Sequence, residues 1–301
     1  MNSGGSAIQT EPDAKTLCLH HNDSDGRACA AIVRRALGKD VWLYEMNYGD
    51  SLPLEKILIS DHIIIVDFSL PLDEMKNLAQ YHQITWIDHH KSSIDELTEV
   101  SGTWPGIRDE REAACILTWN YYFPDEPIPK AIRLIGDRDI WRWAELDTGP
   151  FNEKFYNLDT RPFNDKLWNP LLDNEPDFVA QIIADGKILR DARMQDIRRT
   201  THKRGFQVTF EGYKTLAMNI RGNGDIGQQV RDLGYEIAYC YVDNVVNGEL
   251  YTFVSLYSAE VDVSKIAQKF GGGGHFGAAG FHFKRSHSPF PVGVDVSFQN
   301  D

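Results

Sequence analysis

Along the chain, short apolar runs alternate with stretches in which apolar positions recur every three or four residues. The run TLCLHH from Thr16 is followed by GRACAAIVRRALG, whose apolar positions fall at helical spacing and close on Gly38, which predicts strand, loop, helix. The pattern recurs: IIIVDF (63–68) predicts a near-continuous apolar strand, LPLDEMKNLAQYH a helix, and ITWIDHH from Ile84 another strand. Buried apolar strands alternating with helices predict an α/β fold with a doubly wound parallel sheet, whose ligands sit beyond the carboxyl ends of the strands. A helical stretch is predicted around 112–122, and the segment IPKAIRLIGDRDIWRW ends in a cluster of charge and tryptophan.

The stretch from Glu175 to Lys203 is polar, long and helically periodic, and is predicted to be a linker helix between domains. Beyond Phe206 the texture changes: FQVTF, YKTLAMNI, EIAYCYVD and LYTFVSLYS predict strands and VDVSKIAQKF a helix ahead of a glycine run, so a second, smaller α/β domain follows. The expected organisation is a flexible tail over 1–15, a first domain over 16–174, the linker helix over 175–204 and the second domain over 205–301.

Length agrees with two units, because 301 residues of 42% hydrophobic composition can bury cores for two moderate domains. The formal net charge of −13 argues against binding to long duplex nucleic acid through a broad basic surface. A short anionic substrate stays open, since carboxylates gathered in one pocket recruit divalent cations that reverse the local sign for phosphate. Cys18, Cys29, Cys115 and Cys240 are far apart without a CxxC pair, which disfavours thiolate zinc and disulfides and fits reduced buried thiols in a cytoplasmic protein. No window approaches the ~20 apolar residues of a membrane span, and the first residues lack the basic start and apolar centre of a signal peptide.

Four polar clusters each end a predicted element. In an extended segment His21, Asp23 and Asp25 point to one side, bringing an imidazole and two carboxylates together. Hard divalent cations favour such oxygen-rich sets, and imidazole tilts the choice towards manganese; an N-cap with solvated acids is the alternative. Asp67 ends a buried strand, where acids also cap turns. Asp88-His89-His90 follows another strand. Both histidines cannot face one point, so one is expected as a ligand and the other towards substrate, with Asp88 fixing an imidazole tautomer. Gly136-Asp137-Arg138-Asp139 is flanked by Trp141 and Trp143; spacing does not choose between Asp137 and Asp139, and the tryptophans read as core before base-stacking platforms. Two metals ~3.5–4 Å apart, bridged by a carboxylate, are a recurrent solution for phosphoester hydrolysis because they activate water and neutralise phosphoryl oxygens.

In this order and spacing the clusters resemble the four motifs of the DHH phosphoesterases, named for the Asp-His-His tripeptide found here at Asp88-His89-His90. Gly271-Gly272-Gly273-Gly274-His275, followed by Ala278-Ala279-Gly280, is similar to the GGGH signature of the DHH-associated C-terminal domain. The resemblance implies two divalent metal ions, usually manganese with magnesium as the alternative: one held by His21, Asp23 and Asp67, the other by Asp25, Asp67, His89 and Asp137. It implies that His90 faces the substrate with Asp88 behind the histidines, and that Gly272, Gly273, Gly274, His275 and Ser255 bind substrate. Many relatives carry an arginine in a Ser-x-Arg-Ser segment, whereas this chain reads Ser255-Leu256-Tyr257-Ser258; Tyr257 cannot form a bidentate phosphate clamp, and Arg221 is the candidate replacement. The expected function is a bimetallic phosphodiesterase for short oligonucleotides or dinucleotides. Its alternatives are a 3′-phosphatase for bisphosphorylated adenosine, a cyclic-dinucleotide hydrolase, and a binding protein without catalysis; a homodimer is left open.

Overall fold

The computed structural model describes residues 15–298, so the tail expected over 1–15 lies outside the described residues except for Lys15. The chain divides into two units after Arg190. The division falls inside one long helix, within the segment expected to link the domains.

The first unit opens with β1 (Thr16–His21), α1 (Ser24–Leu37), β2 (Trp42–Met46), α2 (Leu54–Ile57), β3 (His62–Val66), α3 (Leu72–Tyr81) and β4 (Gln83–Ile87). The four strands form a parallel sheet in the order β2-β1-β3-β4. From β1 the chain moves outward to β2 and then returns to the other side of β1. The carboxyl ends of β1 and β3 therefore flank the point where the winding reverses, the crevice in which open α/β sheets place ligands.

Strand periodicity assigns the faces. Cys18, Ile64, Val66 and Ile87 pack into one buried cluster with α1, while Leu17, Leu19, Ile63, Ile65 and Trp86 pack into another on the opposite face. With both faces covered the strands read as continuous apolar runs, as predicted for a doubly wound sheet. The short helices α4 (Lys91–Glu96) and α5 (Thr98–Ser101) precede α6 (Ala114–Tyr122), α7 (Lys130–Asp139), α8 (Thr148–Phe155) and α9 (Asp165–Leu172). Trp119, Leu134, Phe151 and Trp168 from these last four helices join the first cluster.

The second unit begins within α10 (Pro176–Arg204) and continues with β5 (Phe206–Phe210), β6 (Tyr213–Met218), α11 (Gly224–Asp232), β7 (Ile237–Val246), β8 (Glu249–Tyr257), α12 (Val263–Lys269), β9 (Gly273–His275), β10 (Ala278–Lys284) and β11 (Ser297–Phe298). Its mixed sheet has the order β11-β5-β6-β7-β8-β10-β9. Only the β6–β7 pair is parallel, joined through α11; the remaining pairs are antiparallel. The strands and helix predicted in this half are all present. All four cysteines are free and buried, and burial pushes each thiol up, away from the reactive thiolate. Among the described residues no helix is long and apolar enough to cross a membrane.

Candidate metal centre

The loop after β1 holds three candidate residues in a tight turn. Asp23 is the N-cap of α1, its Oδ1 accepting from the Gly26 amide at 2.9 Å. Its Oδ2 accepts from His21 Nδ1 at 2.8 Å. The capping role weighed against metal binding is thus real, but it occupies one carboxylate oxygen and leaves the other for His21. Gly26 permits this turn: a Cβ there would lie 2.4 Å from the His21 carbonyl oxygen. Asp25, in the first turn of α1, is buried, and it accepts from the first amides of α6, Ala114 N at 2.8 Å and Cys115 N at 2.9 Å. A helix N-terminus favours an anion and so offsets part of the cost of burying this carboxylate.

Asp67 follows β3 with a φ of +64°, a left-handed conformation that costs a non-glycine residue roughly 1–2 kcal/mol. Its amide donates to Ile87 O at 3.0 Å, extending the β3–β4 ladder by one bond before the chain turns. The side chain is 1% exposed, and neither carboxylate oxygen has a hydrogen-bond partner. Oδ2 lies 3.7 Å from His21 Nδ1 and Oδ1 lies 3.3 Å from His89 Nε2. A buried carboxylate without partners is among the costlier arrangements in a protein interior. Here it stands between two imidazoles, one from each of the flanking clusters.

After β4, Asp88 Oδ1 accepts from the amides of His89 (2.7 Å) and His90 (3.2 Å) and from His90 Nδ1 (2.8 Å). Accepting from Nδ1–H fixes the His90 tautomer and leaves Nε2 outermost. His89 turns the other way: its Nε2 is 3.8 Å from Asp25 Oδ2 and 3.4 Å from Asp139 Oδ2. The expectation that adjacent histidines could not face one point does not hold: their ring centroids are 4.5 Å apart, and both offer ligand atoms close to Asp67.

The fourth cluster corrects the ligand set that the resemblance implied. Asp139, not Asp137, joins Asp25 and His89. The Asp137 carboxylate accepts from Ala144 N (2.9 Å), Glu145 N (3.3 Å) and the Thr148 hydroxyl. Its oxygens are engaged in tying the 140–147 loop to the end of α7. The adjoining tryptophans are likewise not core: Trp141 is 62% and Trp143 41% exposed, at φ of +54° and +53°. No sequence signal separated the two acids. A difference of two positions on a helix turns a side chain by roughly 200°, and which face packs inward is decided by the fold.

Three groups have ligand atoms close enough to share an ion: His21, Asp23 and Asp67; Asp25, His89 and Asp139; Asp67, His89 and His90. Burial, and then the neighbouring Asp67 charge, push the Asp25 carboxyl up. Burial followed by the Asp25 charge does the same to Asp139, and burial does so to Asp67. The hydrogen bond to Asp23, and the Asp67 carboxylate close by, carry the His21 imidazole up to about 10 against the opposing effect of burial. Burial pushes Asp23 up as well, but its bonds from His21 and Gly26 outweigh this and hold it low. Without a cation, protons hold these groups together; a divalent ion supplies more charge to the same oxygens and nitrogens. The donor set of carboxylate oxygens and imidazole nitrogens fits manganese or magnesium better than a thiolate-seeking ion.

In the second unit, strand register gathers the residues expected to bind substrate. Ser255 pairs with Gly280, which pairs with Gly273, and Tyr257 pairs with Ala278, which pairs with His275. These two rows face the same side of the sheet. Arg221 reaches this place too: the Tyr257 phenol, pushed up by burial, is held back by a bond with Ser255 and by the Arg221 charge. The glycines divide by role. A Cβ on Gly272 would sit 2.1 Å from Gly280 O and one on Gly274 2.5 Å from Ala279 Cα, whereas one on Gly273 would meet nothing within 4 Å.

No family model matches the chain. An uncharacterised protein of Acanthamoeba polyphaga mimivirus, R106, is 30% identical over 259 residues, covering 81% of this chain and 57% of that protein. Oligoribonuclease NrnB of Bacillus subtilis is 23% identical over 290 residues, covering 86% of this chain and 71% of its own. Among solved structures, the pGpG-specific phosphodiesterase PggH of Vibrio cholerae superposes with a TM-score of 0.51 at 12% identity, covering 90% of this chain and 93% of the other, which is a likeness of fold. This chain thus spans just over half the length of R106. Four ordered motifs converge at the winding reversal of a parallel sheet, and a second α/β unit carries the GGGH strand, which is the two-unit α/β architecture that the resemblance to the DHH phosphoesterases implied.

Proposed function

We propose that this protein is a divalent-metal-dependent phosphodiesterase that hydrolyses short oligonucleotides or dinucleotides to mononucleotides. The observation that carries the reading is Asp67, whose buried carboxylate has no hydrogen-bond partner and offers one oxygen to each side, towards His21 and towards His89. His21, Asp23 and Asp67 would hold one cation, and Asp25, Asp67, His89 and Asp139 the other. When bound, such cations supply positive charge to phosphoryl oxygens and make water a better nucleophile near neutral pH.

The chain's own residues do the rest. The α6 N-terminus and the Asp23 cap fix two carboxylates before any ligand arrives, so little reorganisation is left for the reaction. His90, with Nδ1–H held by Asp88, presents the lone pair of Nε2, which can take a proton from the attacking water and, once protonated, pass it to the leaving oxygen. In the second unit we assign phosphate binding to Arg221, Ser255 and His275, with the exposed Gly273 backbone and the Tyr257 hydroxyl beside them. The name of the relative NrnB supports the oligoribonucleotide class.

The test is product analysis of the full chain with manganese against two- to five-residue RNA oligomers, a cyclic dinucleotide, 3′,5′-bisphosphorylated adenosine and a longer single strand. Mononucleotide release that weakens with length is expected. Preference for the cyclic or bisphosphorylated compound replaces the substrate and keeps the chemistry, and no metal-stimulated turnover on any of them overturns the reading.

A further inference from the structure

Beside the candidate metal centre, the loop leaving α7 presents two indoles to solvent. Trp141 and Trp143 meet edge to face with ring centroids 5.6 Å apart. The Arg138 guanidinium lies over both, 4.6 Å from one ring centroid and 5.3 Å from the other. Among the described residues no carboxylate pairs with this guanidinium. Arg138 also lines a cavity of about 300 Å³ together with Asn22, Asp23, Asp139 and Tyr156, so the cluster is continuous with the candidate metal ligands.

The exposure of the indoles is built, not a by-product of a loose loop. Both tryptophans hold left-handed backbone conformations that bulky side chains rarely adopt. The loop is fastened at its base: Arg142 N donates to Asp137 O, Ala144 N and Glu145 N to the Asp137 carboxylate, and Arg142 pairs with Glu112. A rigid loop that keeps two large apolar rings in water, with an unpaired cation against them, lacks an occupant with a flat face and a negative charge.

We propose that Trp141, Trp143 and Arg138 form a nucleobase-stacking subsite, in which an indole packs on a base of the substrate and Arg138 takes the phosphate joined to that nucleoside. Aromatic stacking is tolerant of base identity, so the subsite binds purines and pyrimidines alike and discriminates against ligands without a base. The inference deepens the proposed function and rests on it for the identity of the ligand as a nucleotide.

The experiment is equilibrium binding to the full chain, followed by tryptophan fluorescence, with adenosine 5′-monophosphate and ribose 5-phosphate as probes, with and without manganese. The wild type is expected to bind the nucleotide at least about tenfold more tightly than the sugar phosphate. Trp141→Ala and Trp143→Ala each should reduce that ratio, and Trp141→Phe should restore most of it where Trp141→Leu does not. Circular dichroism of each variant separates loss of binding from loss of fold. A wild-type ratio near one, or a ratio unmoved in both alanine variants, overturns the subsite. Because binding is read without turnover, a chain that stacks nucleotides but hydrolyses none refutes the phosphodiesterase reading and leaves the subsite standing. The reverse result does the opposite.

Discussion

In the first unit, Asp25 and Asp67 are fully buried with the partly buried Asp139 beside them, and burial has raised all three carboxyls. In the second unit, Gly273 and His275 lie in the open on the sheet's edge strand, and what brings them beside Ser255 and Tyr257 is backbone register. One region concentrates carboxylates whose charge is balanced only by bound protons or metal ions. The other is an unstrained surface whose specificity comes from where the strands pair. Changes in the first should therefore trade activity against stability, and changes in the second should split cleanly between the two.

The largest effect is expected at Asp67. Asp67→Asn should lower metal-stimulated turnover by about a thousandfold, equivalent to roughly 4 kcal/mol. The same variant should raise the melting temperature of the metal-free protein, by on the order of 2–4 °C for each kcal/mol recovered. Calorimetric melting with and without manganese checks both halves, and a variant that is both inactive and less stable breaks the contrast.

Next come the two acids of α7. Asp139→Asn should cost about a hundredfold in turnover and weaken manganese affinity. Asp137→Asn should keep manganese affinity and lose roughly 1–3 kcal/mol of stability, because the carboxylate accepts three bonds from the following loop. Isothermal titration with manganese on both variants decides the assignment.

In the second unit, Gly272→Ala should destabilise the unit by roughly 1–3 kcal/mol, since the added methyl meets Gly280 and Phe281. Gly273→Ala should stay within about 0.5 kcal/mol of wild type and act on KM alone. Equal melting temperatures for the two would mean that register does not build this surface.

The mildest effect is in pH. The raised folded values of Asp25, Asp67 and Asp139 mean that the folded state holds protons longer than the unfolded chain. Their contribution is greatest in acid and is lost as pH rises above the ordinary carboxylate range of about 4. His21 acts in the same sense, its contribution being lost between 6.5 and about 10. The metal-free protein should thus melt at lower temperature as pH climbs through this window, and saturating manganese should flatten the trend.

Much of this was legible in the chain. The apolar runs of β1, β3 and β4 and the periodicity of α1 and α3 were strong because both faces of the sheet are covered. Edge strand β2, Trp42–Met46, is only half-buried and mixes charge into its run, so no clear strand pattern marks it. The loop His21 to Gly26 and the Asp88-His89-His90 turn were readable because each follows a buried strand. Asp139 and the exposed tryptophans were not: packing decides which face of α7 turns towards Asp25 and His89, and two left-handed residues after the helix overrule what hydrophobicity suggests for an indole.

The bonds from residues 144, 145 and 148 back to Asp137 make the intervening segment a closed cassette, secured at its own base and independent of Asp139. Libraries that vary Trp141 and Trp143 while leaving Asp137, Ile140, Arg142 and Thr148 intact can explore new rings and charges without disturbing the acids nearby. Selection, natural or in the laboratory, thus has a place to remodel ligand preference while the reaction centre is inherited unchanged.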